Sequence, residues 1–282
     1  SSAASDVYKR QMPEHIYKDV TDFEHNDYNM NSVGTGPYKL VDYQSGSYLK
    51  FEANENYYKG EPSIKNVVFQ IIENADTAIL ALQNGEVDAY QMTPQQVKKL
   101  DLDASNLSTY SYSEGRVGYL EINCNRVTDE KVRKALLYAM DRKAMDDAAF
   151  ESSEYYSIPY TFLPTNSQFY TEDGVEKYEQ DVDKAKSMLE DAGVSGLKLK
   201  LGYMSSDAVQ SAQALLIQEQ LKEVGVTVEL AGGDGTAIAN AMKDPDNEYD
   251  MYLGGYIMGI DPDTFSSLFE NDGAYNYMHY SG

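Results

Sequence analysis

The stretch DVDKAKSMLEDAGVSGLKLKLGYMSSDAVQSAQALLIQEQLKEVGVTVEL, residues 181–230, decides the fold class. Asp181 stands where a helix wants its capping carboxylate and Gly193 where a helix stops, so the spacing predicts a helix between them. LKLKLGY (197–203) alternates apolar and polar residues as a strand does. Ser206 to Val224 predicts a second helix closed by Gly225, and VTVEL (226–230) a second strand. EYDMYLGGY (248–256) adds another strand. Strands and helices in alternation predict an α/β architecture with largely parallel pairing.

Working toward the N-terminus, RVGYLEINCN (116–125) reads as a buried strand. Thr128 is placed as N-cap to DEKVRKALLYAMDRKAM (129–145), whose Val132, Ala135, Leu136, Ala139 and Met140 share one face. Thr93-Pro94-Gln95-Gln96 has a capping hydroxyl, a proline at the first helical position and a glutamine three residues after the cap, which predicts a short helix through Leu100. VVFQII (67–72) is continuously apolar, as for a strand covered on both faces, and ADTAILALQN (75–84) follows with helical spacing up to Gly85. PYKLVDY (37–43) and SYLKFEA (47–53) form a hairpin around Ser45-Gly46. Residues 151–180, rich in Tyr, Ser, Thr, Asn and Pro, read as a long surface loop.

Composition narrows the class of partner. The 282 residues include 23 basic and 46 acidic ones, a net charge of −23. Such a surface repels phosphate backbones and anionic lipid, so nucleic acid is excluded as a partner. Hydrophobic residues make up 42% of the chain, enough for a substantial core, and no run reaches the ~18 apolar residues of a spanning helix. A lone cysteine, Cys124, excludes an internal disulfide framework and any multi-thiolate metal site. Residues 1–11, SSAASDVYKRQ, lack apolar periodicity and read as a disordered or foreign appendage. The chain stops in a polar, Tyr-rich stretch, so the expectation is a piece of a longer protein.

No catalytic motif emerges. His15, His25 and His279 stand in no ligand-spaced pattern, and Gly34-Thr35-Gly36 lacks the third glycine of a dinucleotide fingerprint. Asp244, Asp246 and Glu248 begin like a calcium loop, but Tyr249 and Gly255 occupy the positions that need glycine and glutamate. The acidic pairs Asp146/Asp147 and Glu190/Asp191 read as solvated helix surface. Asp261-Pro262-Asp263 differs, because it follows a strand and a glycine pair, at the strand end where open α/β sheets bind ligands. Tyr256 shares that segment. Tyrosine clusters elsewhere, such as Tyr57-Tyr58, Tyr155-Tyr156 and Tyr275 with Tyr277, suit a core edge as well as a pocket wall.

Nine segments in order carry a family resemblance: PEHIYKD, VGTGPYKLVDY, FEANENYYKGEPSIKNVVFQII, LQNGEVDAYQMTPQQV, GYLEINCN, DEKVRKALLYAMDRKAM, DKAKSMLEDAG, IQEQLKEVGVTVEL and YDMYLGGYIMGIDPDTFSSLF. From Met12 to Gly282 the chain resembles the family 5 extracellular solute-binding proteins, the oligopeptide- and dipeptide-binding components of ABC importers. The resemblance implies a bilobed, periplasmic-binding-protein-like (type II) α/β clamshell, incomplete at both ends. Residues 12–120 would be part of lobe I and residues 121–282 most of lobe II, with the crossing at Tyr119 to Asn125. It implies a monomeric, non-enzymatic receptor without cofactor or metal, periplasmic or lipid-anchored as a lipoprotein on the outer face of the membrane, with Cys124 not the anchor. Its partners would be an oligopeptide ligand and the ABC permease subunits. Another solute, such as a nickel chelate, an opine or an oligosaccharide, is the alternative, as is a surface peptide sensor.

The resemblance also carries a candidate site. Gly254, Gly255, Tyr256, Ile257 and Met258 match the segment that gives family members strand-like contacts to bound peptide, and the glycines permit close backbone approach. A β-bulge or bend is the competing reading of the two glycines. Asp261, and Tyr203 at the end of the LKLKLGY strand, complete the set. In dipeptide-binding members an aspartate four residues before the proline of the DP-type motif holds the peptide's ammonium; here that position is Met258. A thioether cannot replace a carboxylate, so the departure implies longer peptides held through the backbone, N-blocked ligands or a different solute, unless Asp261 takes over from a shifted position or Met258 only packs in the core.

Overall fold

The computed structural model describes residues 12–281 except 24, 32, 101, 103–105 and 260. The appendage expected at residues 1–11 lies outside the described residues. The chain divides into two compact units, one ending at Gln91 and the other beginning at Met92.

The first unit is built around an antiparallel meander in which β1 (Tyr38–Gln44), β2 (Tyr48–Ala53) and β3 (Asn66–Gln70) lie in sequence order. The expected hairpin is present, and its turn needs Gly46 because φ there is +70°. Asn54 is buried and fixes the Gly-Thr-Gly-Pro turn, its Nδ2 donating to the Gly36 carbonyl (3.0 Å) and its backbone N–H to that of Pro37 (2.7 Å). A one-turn helix α1 (Glu14–Tyr17) precedes the sheet and α2 (Ala75–Gln83) follows it; Asn74 caps α2 and Gly85 (φ +73°) ends it. The expectation that Val67 to Ile72 is covered on both faces is not met: Val68 and Phe69 are 57% and 60% exposed. Among the described residues β3 is an edge strand that pairs with β2, and Phe69 packs edge-on to Phe51 at 5.7 Å.

The second unit opens with α3 (Pro94–Lys98), where the Thr93/Gln96 capping box forms as its spacing predicts. Four strands follow, β4 (Arg116–Ile122), β5 (Lys198–Met204), β6 (Thr227–Gly233) and β7 (Met251–Ile257), in the order β4-β7-β5-β6. β4 straddles the lobe crossing expected near residue 120 and lies wholly in this sheet. Pairing is parallel for β5–β6 and β5–β7 but antiparallel for β4–β7 and throughout the first unit, so the fold is mixed rather than largely parallel. Helical crossovers make the parallel pairs, whereas β4 meets β7 by a long-range return.

The helices are α4 (Glu130–Ala139), α5 (Arg142–Phe150), α6 (Val182–Asp191), α7 (Ala208–Glu223) and α8 (Gly235–Met242). The single helix expected over 129–145 is two. Asp141 leaves the helical conformation and its carboxylate caps α5 through the Ala144 N–H (3.0 Å), while Gln220 of α7 receives its backbone N–H. The first of the pair is capped by Asp129 instead of Thr128. Either residue type satisfies the sequence pattern, and one residue of register decides which does. Residues 151–181 contain no helix or strand, as expected for a loop. Leu136, Leu201, Ile217, Leu221 and Met251 centre the main core, in which helices α4 to α7 meet one face of the sheet.

Candidate functional site

β7 has two unequal neighbours. Its pairing with β4 runs from Met251↔Ile122 to Ile257↔Arg116, but its pairing with β5 comprises only Met251↔Leu201 and Tyr252↔Gly202. Beyond that point β5 stays with β6, and the Met204 N–H turns to the Gln210 Oε1 of α7 (2.8 Å). The antiparallel register fixes which groups are left over. Met258 N–H donates to the Gly115 carbonyl (3.0 Å) and Asn123 N–H to that of Asp250 (2.9 Å), so even-numbered residues of β7 exchange hydrogen bonds with β4. Gly255 and Ile257 therefore aim their N–H and C=O groups at the edge that β5 vacates, and among the described residues no strand pairs with them there.

The two faces of this segment differ. On one, Leu253 belongs to the main core, Gly255 comes next and Ile257 is 57% exposed. Arg116 lies across Gly255: a Cβ built there would sit 3.4 Å from Nη2 and 3.6 Å from Cζ. Its guanidinium reaches Asp207 at a long 3.9 Å, while the other Asp207 oxygen caps α7 through Val209 and Gln210 N–H. On the opposite face Tyr256 and Met258 are buried in a satellite core with Val117, Leu163 and Leu268. The Tyr256 ring packs on Phe265 at 4.3 Å, its hydroxyl donates to the Phe162 carbonyl, and burial pushes its pKa up to about 12.

Gly254, between Tyr252 and Tyr256 on that face, has no room for a side chain, because an added Cβ would stand 2.6 Å from the Tyr119 ring and 2.7 Å from that of Tyr252. Tyr119, Tyr252 and Tyr277 also face Glu121, which is 6% exposed and whose Oε2 has no hydrogen-bond partner among the described residues. Burial pushes the Glu121 carboxyl up to about 8 and, with Glu121 as neighbour, raises the Tyr119 hydroxyl well above the ordinary tyrosine value.

Of the residues singled out in the sequence, Gly255 and Ile257 supply the open edge, and Gly254 provides tight packing behind it. Tyr256 and Met258 face the satellite core; for Met258 this burial fits the packing reading. Asp261 accepts the Asp263 N–H (3.0 Å) and caps a 3-10 helix over Pro262–Leu268. Tyr203 lies on β5, its ring over Gly232 of β6. Asp244 and Asp246 form a hydrogen-bonded turn, Glu248 pairs with Lys200 at 2.7 Å, and no group of three or more metal-ligating side chains occurs among the described residues. Arg116 and Glu121 escaped the sequence reading. The period of two along RVGYLEI was the signal available, since a strand covered on both faces must bury Glu121.

These features sit in a known family framework. Residues 2–277 match the model for "Bacterial extracellular solute-binding proteins, family 5 Middle", and the chain belongs to that family. It is 29% identical over 278 residues to the oligopeptide-binding protein AppA of Bacillus subtilis, covering 90% of this chain and 50% of that one. It is 26% identical over 239 residues to the nickel-binding periplasmic protein of Escherichia coli, covering 75% of this chain and 44% of that protein. The crystal structure of the ABC transporter substrate-binding protein CtaP from Listeria monocytogenes superposes with a TM-score of 0.85 at 37% identity, over 96% of this chain and 56% of that one. AppA of Bacillus subtilis in complex with a nonapeptide gives 0.77 at 26% identity, over 96% and 57%. The chain thus spans about half the length of the curated relatives it matches.

Proposed function

We propose that this chain belongs to a non-enzymatic, extracytoplasmic receptor that binds oligopeptides by strand addition and hands them to an ABC permease. The observation that carries the reading is the open edge of β7 at Gly255 and Ile257, which presents backbone donors and acceptors in strand geometry beside a glycine that lets another backbone approach. Backbone pairing is indifferent to side chains, which suits a receptor for peptides of varied sequence. The peptide-binding relatives support the ligand class. With Met258 packed in a core, an ammonium partner at that position is lacking, and the peptide would be held mid-chain. In this reading lobe I ends near residue 120, Asp261 and Tyr203 stand beside the ligand, and the receptor works as a monomer.

Native mass spectrometry of the complete gene product, purified without denaturation, tests the ligand class. Heterogeneous adducts with peptide masses, released on mild unfolding, are expected. A nickel chelate, a haem or a sugar as the bound species would overturn the peptide reading.

A further inference from the structure

We infer that Arg116 is a specificity-determining residue that takes a carboxylate of the ligand beside the open edge of β7. The inference rests on the peptide reading above and goes beyond it by naming a chemical preference that the strand edge alone does not have.

Three observations carry it. The guanidinium lies on the Gly255 side of the sheet, 3.4–3.6 Å from where a Gly255 Cβ would stand, and Gly255 is one of the residues whose backbone groups point into the vacated edge, so a strand added there runs beside this cation. That cation is half-exposed and under-used, because its ion pair with Asp207 spans 3.9 Å, longer than a charge-assisted hydrogen bond at ~2.8 Å. Asp207, the anion that would otherwise repel an incoming carboxylate, is itself compensated by the Val209 and Gln210 N–H groups at the start of the 16-residue helix α7. A ligand carboxylate that approaches Arg116 therefore replaces a poor contact with a good one. On a chain of net charge −23, a local cation is also what separates an acidic ligand from general repulsion.

The carboxylate has two possible sources, an acidic side chain or the peptide's C-terminus, and the test separates them. Calorimetry of the complete gene product would use alanine-based heptapeptides carrying one Glu or one Gln at each successive position, each with a free or an amidated C-terminus. Wild type is expected to favour one carboxylate-bearing peptide by about tenfold over its neutral counterpart. Arg116→Gln should abolish that preference while changing affinity for the neutral peptide by less than about twofold, and Arg116→Lys should restore part of it. Position dependence among the Glu peptides identifies a side chain as the source, and sensitivity to amidation identifies the C-terminus. Equal losses for charged and neutral peptides in Arg116→Gln, or no preference in wild type, would overturn the inference and leave the peptide reading intact. Binding of none of the peptides would overturn both.

Discussion

Replacing Glu121 by glutamine is expected to raise stability at pH 9 by on the order of 4 kcal/mol relative to the same comparison at pH 5. The Glu121 carboxyl is buried against Tyr119, Tyr252 and Tyr277, and burial alone pushes its pKa from 4.5 up to about 8. Above pH 4.5 the unfolded chain has released this proton while the folded protein still holds it. Folding therefore takes up a proton, and stability falls with rising pH until the folded group itself ionises near 8. Below 4.5 both states are protonated and the penalty vanishes. Glutamine keeps the shape and cannot ionise, so urea unfolding of the two proteins at pH 5, 7 and 9 should give curves that separate progressively. A difference that stays flat across this range would mean that Glu121 ionises normally and is paired in the folded protein.

Gly254→Ala is expected to cost about 2 kcal/mol or more, whereas Gly118→Ala, on the adjacent strand, should change stability by less than about 1 kcal/mol. The added methyl at 254 would stand 2.6 Å from the Tyr119 ring and 2.7 Å from the Tyr252 ring, and both rings belong to the packed layer around Glu121. At 118 a Cβ meets nothing within 4 Å. Both glycines lie in the β4–β7 pair and share its backbone entropy, so the contrast isolates packing. Thermal or urea unfolding of the two variants measures it; similar costs at both positions would refute the close approach of the tyrosines to Gly254.

The alternation that placed α6, β5, α7 and β6 was legible because each element carries its own cap or stop. Asp181 and Gly193 bracket one helix, and Gly225 ends the other after its Asp207 cap. What failed depended on neighbours distant in sequence. Whether VVFQII is covered on both faces depends on what packs there, and an apolar run looks the same either way. The break at Asp141 depends on Gln220, 79 residues away. The site divides likewise: two glycines in a strand marked where a backbone can come close, but which residues of β7 face an open edge depends on where β5 parts from β7, beyond which the Met204 N–H bonds Gln210 of α7 instead. Parity then assigns Tyr256 and Met258 to a core and leaves Gly255 and Ile257 at the edge.

Amide hydrogen exchange along β7, measured residue by residue on the complete gene product with and without a bound peptide, tests strand addition most directly. The even-numbered amides at Tyr252, Gly254 and Tyr256 already donate to β4, so they should exchange slowly in both states. Gly255 and Ile257 should exchange rapidly in the free protein and become protected by at least about tenfold when peptide binds. Peptide binding that leaves Gly255 and Ile257 as fast as before would contradict the account.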